Sequence, residues 1–121
     1  MLNLDTHILV DALAGRLRPR EQALLIANRW SISSIVLWEL AKLSQLGRIE
    51  LDIHASELEV ALSKVHVWPI DLEVCRTTHH LDFESDPADE IIAATSIVHR
   101  VPLLTRDRRL LGSKLVPLAL R

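Results

Sequence analysis

The segment LNLDTHILVDALAG, at residues 2–15, gives the clearest indication of the fold in this chain of 121 residues. Its first part, Leu2–Leu4, is a short apolar run that ends at Asp5, which is typical of a buried β-strand. The next part, Thr6–Ala14, continues as an apolar helix, and Gly15 marks its end. Short strands followed directly by helices indicate a parallel sheet.

The same alternation of strand and helix continues along the chain. We predict further helices at residues 19–28, 35–46, 51–63, 72–81 and 86–99, and further strands at residues 30–33, 65–70, 102–105 and 115–118. We expect Ser34 to cap the third helix. The pattern favours a three-layer α/β/α sandwich with a short, mainly parallel sheet of four to five strands. No repeat or linker interrupts residues 1–121, so we expect a single domain.

Composition excludes several classes of protein. The chain is 49% hydrophobic and 25% charged, which is typical of a packed globular protein and not of a disordered one. Cys75 is the only cysteine, so neither an internal disulfide nor a cysteine-rich zinc site is expected. Asp5 interrupts the first apolar stretch, and no run is long enough to span a membrane. We therefore expect a cytoplasmic protein without membrane contact.

Two acidic residues follow predicted strands that lie far apart in sequence. Asp5 ends the first strand, and Asp107 follows the strand at residues 102–105. Ligands of open α/β sheets bind outside the carboxyl ends of the strands, because loops and helix starts form a crevice there. Both acids are expected at this edge, although exposed loop acids remain an alternative explanation for either one.

Glu39 is harder to explain as a surface residue. On a helical projection it lies on the side of Leu37, Leu43 and Leu46, within an arc completed by Val36 and Leu40, so its carboxylate is expected at the interior or its rim. A buried carboxylate must be protonated, paired or bound to a cation. A salt bridge to a nearby arginine is the alternative to a functional role.

Two more acids lie at the start of the helix that ends at His99. Asp86 precedes Pro87 and is expected to cap this helix. Asp89 could belong to the same capping arrangement, but it lies on a face of small residues with Ala93 and Ser96, where the helix can approach the sheet closely. We therefore favour capping for Asp86 and function for Asp89.

Four carboxylates at one edge repel one another, and a positive charge among them would reduce that repulsion. Oxygen ligands favour hard cations such as Mg²⁺ or Mn²⁺, which can activate water and polarise a phosphoryl oxygen. Phosphodiester hydrolysis is the chemistry that this set favours. The candidate metal ligands are Asp5, Glu39, Asp89 and Asp107.

Basic residues near the last acid could contact nucleic acid. Arg106, Arg108 and Arg109 flank Asp107, and a second group, at residues 16, 18 and 20, follows the first helix. Arginine binds phosphate through paired hydrogen bonds. A solvated surface is the alternative for both groups, and the net charge of -2 does not by itself indicate a nucleic-acid partner.

Several motifs, taken in order, make the chain resemble the PIN-domain ribonucleases, specifically the VapC-type toxins of type II toxin-antitoxin pairs. They are LDTH at residues 4–7, SSIVLWELA at 33–41, GRI at 47–49, DPADEIIAAT at 86–95 and LTRDR at 104–108. The resemblance spans nearly the whole chain. Two positions depart from the common pattern: Glu90 stands where relatives often have arginine, and Val36 where many have serine.

The resemblance implies a PIN-like fold and an endoribonuclease that depends on Mg²⁺ or Mn²⁺ and cuts structured RNA such as tRNA or rRNA. By position, it implies that Asp5, Glu39, Asp89 and Asp107 form the acidic site, with Thr6 and Thr105 as supporting hydroxyls. It further implies a VapB-like antitoxin as partner and a homodimer. Glu90 would add negative charge where RNA phosphate approaches.

Two other functions are alternatives to the nuclease. A catalytically silent PIN-fold module would act by holding a protein partner, and it should neither bind Mn²⁺ tightly nor cut RNA. A phosphoacceptor or phosphatase domain would need adjacent acids, or Asp-x-Asp, after the first strand, and Asp5-Thr6-His7 does not provide them.

Overall fold

A computed structural model describes residues 1–121 and contains a four-stranded sheet in the order β3-β2-β1-β4. All three strand pairs are parallel. The strands are β1 (Leu2–Leu4), β2 (Trp30–Ser33), β3 (His66–Trp68) and β4 (Leu103–Leu104). The helices are α1 (Thr6–Ala14), α2 (Pro19–Ala27), α3 (Ser34–Gln45), α4 (Ser56–Leu62), α5 (Leu72–Thr78), α6 (Pro87–His99) and α7 (Arg108–Leu111). The predicted parallel α/β sandwich is confirmed.

The register of the parallel strands determines where the residues that follow β1 and β4 lie. Leu2 of β1 pairs with Trp30 of β2, and Leu4 pairs with Leu104 of β4. Because the strands are parallel and in this register, Asp5 and the loop after β4 leave the sheet at the same edge. We call this side of the sheet the carboxyl edge.

The core fills the space between the sheet and its helices. Its fully buried side chains include Leu4, Ile8, Leu9, Ile32, Ile92, Leu103, Leu104 and Leu110. Burying each such side chain contributes roughly 1.5–3 kcal/mol. The core therefore supplies the main driving force that holds the helices against the sheet.

A buried polar contact seats α6 closely against β1. The Asn3 side-chain amide donates to the Ser96 hydroxyl at 2.9 Å and to the Ile92 carbonyl at 3.3 Å. Ala93 and Ser96 are fully buried, so small residues do form the face that approaches the sheet. This close packing brings the start of α6 to the carboxyl edge.

Three predicted elements are shorter in the structure by three or more residues. The strand at residues 65–70 is limited to His66–Trp68, because Pro69 has no N–H for the ladder. The helix at 51–63 begins only at Ser56, because the Asp52 carboxylate accepts the His54 N–H at 2.9 Å and forms a turn before it. The helix at 72–81 ends at Thr78.

Two further expectations are corrected. Residues 115–118 form no strand, and a single bridge joins Leu118 to Leu103, because Pro117 lacks the N–H that would continue the pairing. Ser33, and not Ser34, caps α3, since the Ser33 hydroxyl accepts the Ile35 N–H at 3.3 Å. None of the helices is long and apolar enough to cross a membrane.

Candidate active site

Asp5 lies at the centre of the carboxyl edge and is only 3% exposed. It caps α1, and its Oδ1 accepts the Thr6 backbone N–H at 2.8 Å. Its Oδ2 accepts the Thr105 hydroxyl at 2.6 Å and lies 3.6 Å from Nδ1 of His7. Hydrogen bonds to both oxygens hold this carboxylate in one orientation.

The Thr105 hydroxyl joins two of the predicted acids. While it donates to Asp5, its oxygen accepts the backbone N–H of Asp107 at 3.0 Å. Asp107 caps the short helix α7, and its Oδ1 accepts the Arg109 N–H at 2.8 Å. A buried threonine thus fixes the loop after β4 against the end of β1.

Glu39 lies half-buried on α3, next to the buried side chains of Val36 and Leu40. Its Oε1 accepts a short hydrogen bond from the Thr6 hydroxyl. No arginine or lysine forms an ion pair with it, so the salt-bridge alternative is wrong. The predicted neighbours Leu37 and Leu46 are 38% and 61% exposed, because α3 packs through the strip containing Val36 and Leu40.

The electrostatics of Glu39 reflect its surroundings. Burial raises its pKa most, and the negative charges of Asp5, Asp89 and Asp86 raise it further, while the hydrogen bond from Thr6 opposes the shift. The acids of the carboxyl edge are therefore close enough to interact, although they arise from different elements.

Asp89, in the first turn of α6, has the same character. Burial raises its pKa most, and the charges of Asp5, Asp107 and Asp86 add to that effect. The Ser85 hydroxyl donates to its Oδ2 at 2.8 Å and opposes the shift. Sequence reasoning missed Ser85, although a serine four residues before Asp89, just outside the helix, is a recognisable signal.

The capping role expected for Asp86 is wrong in part. Asp86 occupies the N-cap position of α6, but its side chain accepts no hydrogen bond from the helix. Its charge instead acts on Glu39 and Asp89, which makes it a fifth acid near the site. Glu90 provides the local contact, since its Oε2 accepts the Ser85 backbone N–H at 3.3 Å.

The expected phosphate contact of Arg106 is not supported, because its guanidinium is already bound. Nε and Nη2 donate to the two oxygens of Glu21 at 2.8 and 2.6 Å, and Nη1 donates to Asp11 at 2.6 Å. The Arg106 backbone N–H donates to Nε2 of His7 at 3.1 Å, so His7 holds the same loop. Arg108 and Arg109, in contrast, are exposed and form no ion pair.

The chemistry of the donor set suits a divalent cation. All the candidate ligands offer carboxylate oxygens, which suit a hard cation, and no basic side chain compensates Glu39 or Asp89. As the side chains stand, no group of three or more acids, histidines or cysteines is arranged to hold a metal ion. Since Mg²⁺ commonly takes one or two carboxylates and keeps several waters, the residues fit such an ion.

A parallel α/β sandwich with interacting acids at its carboxyl edge defines a class of protein that binds ligands beyond the strand ends. Within that class, the chain belongs to the PIN-domain family, whose model matches residues 3–112. It is 38% identical over 113 residues to Ribonuclease VapC22 of Mycobacterium tuberculosis, covering 88% of this chain and 87% of the relative. The resemblance to VapC-type PIN domains is confirmed.

Solved structures share the fold at lower sequence identity. A toxin-antitoxin complex from Klebsiella pneumoniae contains a chain with a TM-score of 0.72 at 24% identity, covering 93% of this chain and 92% of that one. VapBC2 from Rickettsia felis, bound to a DNA fragment from its promoter, gives a TM-score of 0.72 at 22% identity, covering 98% and 97%. These likenesses concern the architecture alone.

Proposed function

We propose that this protein is a metal-dependent endoribonuclease that hydrolyses RNA phosphodiester bonds at Asp5, Glu39, Asp89 and Asp107. One observation carries the proposal: these acids come from separate elements, yet they interact electrostatically at one edge without a compensating arginine or lysine. Such an arrangement costs stability, and a bound cation would offset that cost. The relation to Ribonuclease VapC22 supports the choice of RNA as substrate.

The four acids would hold Mg²⁺ or Mn²⁺. When bound, the ion supplies Lewis-acid polarisation of a phosphoryl oxygen and lowers the pKa of a bound water. The chain's own residues prepare the site for it. Thr105 holds Asp5, Thr6 holds Glu39 and Ser85 holds Asp89, so these three carboxylates present their remaining acceptor positions in a defined direction.

We further propose a VapB-like antitoxin as the protein's partner, and a homodimer. The Klebsiella and Rickettsia structures support a partner, since each is described as a toxin-antitoxin or VapBC assembly. Trp38 on α3 is 57% exposed, and Leu46 at the end of this helix is 61% exposed. Large apolar side chains exposed to this extent are commonly covered by a partner. Light scattering of the purified chain, alone and with the product of an adjacent small gene, tests both assemblies.

The decisive experiment is cleavage of tRNA and rRNA by the purified, antitoxin-free protein. We expect cutting with Mg²⁺ or Mn²⁺, none with chelator, and loss of cutting in Asp5→Asn and Asp89→Asn. Glu57→Gln is the matched control, because Glu57 is an exposed acid on α4 that takes part in no ion pair. This control should cut as the wild type does.

The same assay tests the alternative of a silent binding module. That alternative is favoured by the lack of three side chains already arranged around one metal position. If the protein cuts no RNA in either metal but still binds the antitoxin, the nuclease hypothesis is rejected in favour of the binding module. Cutting that persists in Asp5→Asn would instead show that the acids have been wrongly assigned.

A further inference from the structure

A cavity of about 520 Å³ opens beside the loop that follows β4. Thr105 and Arg106 form part of its wall, and the start of α2 forms another part. Its lining is rich in arginine, with side chains from three separate segments: Arg18, Arg20, Arg106, Arg108 and Arg121. The tertiary fold has therefore assembled this group, since no run of sequence contains it.

Most of this positive charge is uncompensated. Arg106 is neutralised by Glu21 and Asp11. By contrast, Arg18, Arg20 and Arg108 form no ion pair, although Arg18 lies close enough to Glu21 for its charge to help lower the pKa of that carboxyl. In a chain of net charge -2, free arginines around one cavity form a local site for an anion.

The cavity borders the acidic edge at one residue, the buried Thr105. This residue lines the cavity, and its hydroxyl also donates to Asp5 at 2.6 Å. If the phosphate to be cleaved lies at the acids, the neighbouring phosphates of the same RNA strand would lie along this loop. Guanidinium groups bind phosphate through paired hydrogen bonds, and they would offset the repulsion between the acids and the polyanion.

We propose that Arg18, Arg20 and Arg108 bind the RNA phosphates that flank the bond to be cut. The inference rests on the proposed ribonuclease function and deepens it, because it assigns the path of the substrate strand. In the folded protein, the arginines group differently from the way they group along the sequence. Arg108 joins Arg18 and Arg20, while Arg106 and Arg16 serve the protein's internal ion pairs.

The test measures binding apart from cleavage. The full-length Asp5→Asn protein, free of antitoxin and in chelator, is titrated into a short fluorescein-labelled single-stranded RNA at several salt concentrations. Arg20→Gln/Arg108→Gln in that background should raise Kd about tenfold or more at low salt. Its slope of log affinity against log salt should fall by about 1.4, as expected for two lost phosphate contacts.

Arg29→Gln/Arg100→Gln is the matched control. Both residues are exposed arginines at the opposite edge of the sheet, just before β2 and before β4, and the pair removes the same charge. This control should leave the salt slope unchanged. An equal loss of affinity in both double variants would show attraction by net charge alone and overturn the proposal, and so would unchanged binding in Arg20→Gln/Arg108→Gln.

Failure of the proposed function is distinguishable from failure of this inference. If the wild type cuts no RNA in Mg²⁺ or Mn²⁺ while the binding result is as expected, the phosphate site stands and the nuclease does not. If cutting occurs, Arg20→Gln/Arg108→Gln should raise KM and leave kcat nearly unchanged, because these side chains contact phosphates that do not react. A fall in kcat alone would contradict the assigned path.

Discussion

At the scale of single residues, three of the four candidate ligands at the carboxyl edge each accept a hydrogen bond from a neighbouring hydroxyl. The three pairs are Thr105 with Asp5, Thr6 with Glu39 and Ser85 with Asp89. A hydroxyl is a neutral donor, so it orients a carboxylate without cancelling its charge. The acids therefore remain negative enough to attract a cation and keep their repulsion when none is bound.

Burial of Glu39, together with that repulsion, predicts the effect of Glu39→Gln on the metal-free protein. The pKa of Glu39 is raised in the folded state above its ordinary value of 4.5, so the folded state binds the proton more tightly than the unfolded one. Stability then falls as pH rises from about 4.5 through the raised pKa. Glu39→Gln should be more stable than the wild type at pH 7, with the advantage lost near pH 4.

Urea unfolding in chelator at the two pH values measures this difference. The amide oxygen of glutamine can still accept the Thr6 hydroxyl, so the substitution isolates the charge. A variant that is less stable than the wild type at pH 7 would show that the hydrogen bond outweighs burial and repulsion.

Thr105 offers a second prediction at this scale. Thr105→Val keeps the shape but removes the donor to a buried carboxylate, which should cost about 1–3 kcal/mol of stability. Misplacement of Asp5 should also lower Mn²⁺ affinity and kcat/KM by about 10- to 100-fold. Calorimetric Mn²⁺ titration and cleavage kinetics measure these losses.

The conservative variant Thr105→Ser is the control, because it keeps the hydroxyl. It should recover most of the metal affinity and activity. If Val and Ser variants behave alike, the hydroxyl does not position Asp5, and the effect comes from packing of the methyl group.

At the scale of secondary-structure elements, Arg106 ties three of them together. It follows β4, donates to Asp11 on α1 and binds both oxygens of Glu21 on α2. Glu21 is only 4% exposed, so its charge depends on this partner. The clamp fixes the loop that carries Thr105 and Asp107, so a residue expected to bind RNA instead orders the site.

Glu21→Gln should therefore destabilise the protein at pH 7. The bound guanidinium of Arg106, helped by the hydrogen bond from the Arg18 backbone, lowers the pKa of Glu21 from 4.5 to about 2, which corresponds to roughly 3 kcal/mol. Since the folded pKa is depressed, this contribution is complete above pH 4.5 and is lost as pH falls toward 2. Chemical unfolding of both proteins at pH 7 and near pH 3 should show the gap shrinking with acid.

A pH-independent gap would contradict this account, because it would locate the loss in packing or hydrogen bonding and not in the charge. Asp11→Asn is a useful comparison. Asp11 is more exposed than Glu21, and it also forms an ion pair with Arg16 at 3.5 Å. Removing its charge should therefore cost less stability than removing that of Glu21.

At the scale of the whole molecule, opposite charges are segregated around the loop after β4. The acids lie around Asp5 on one side of this loop. The arginines without ion pairs line the cavity whose wall includes Thr105 and Arg106. A net charge of -2 conceals this separation. A cation among the acids should relieve the repulsion and stabilise the fold as a whole.

Metal binding should therefore appear in thermal unfolding. At a Mn²⁺ concentration about 100 times Kd, binding to the folded state alone adds about 2.7 kcal/mol to stability, which chelator should reverse. Asp5→Asn should lose most of this gain, whereas Glu57→Gln should keep it. An equal rise of Tm in wild type and Asp5→Asn would place the bound metal elsewhere.

Much of the fold and part of the site were predictable from local patterns. The strand Leu2–Leu4, the helix Thr6–Ala14 and its end at Gly15 follow from apolar runs and one glycine, which a short window contains. The placement of Asp5 and Asp107 after parallel strands then brings them to one edge. The remaining boundary errors came from side chains such as Asp52, which compete locally with the backbone.

Local patterns predicted the strands and helices from β1 to β4 and the acids that follow them, because periodicity and capping act over a few residues, but they did not predict the short helix α7. The roles of the other polar groups depend on the packing of distant segments against one another. Thr105 meets Asp5 across 100 positions, and Arg106 meets Glu21 across 85. The energy of such pairs depends on burial and on distances created by packing, so no local pattern could show that Arg106 is bound while Arg18, Arg20 and Arg108 remain free.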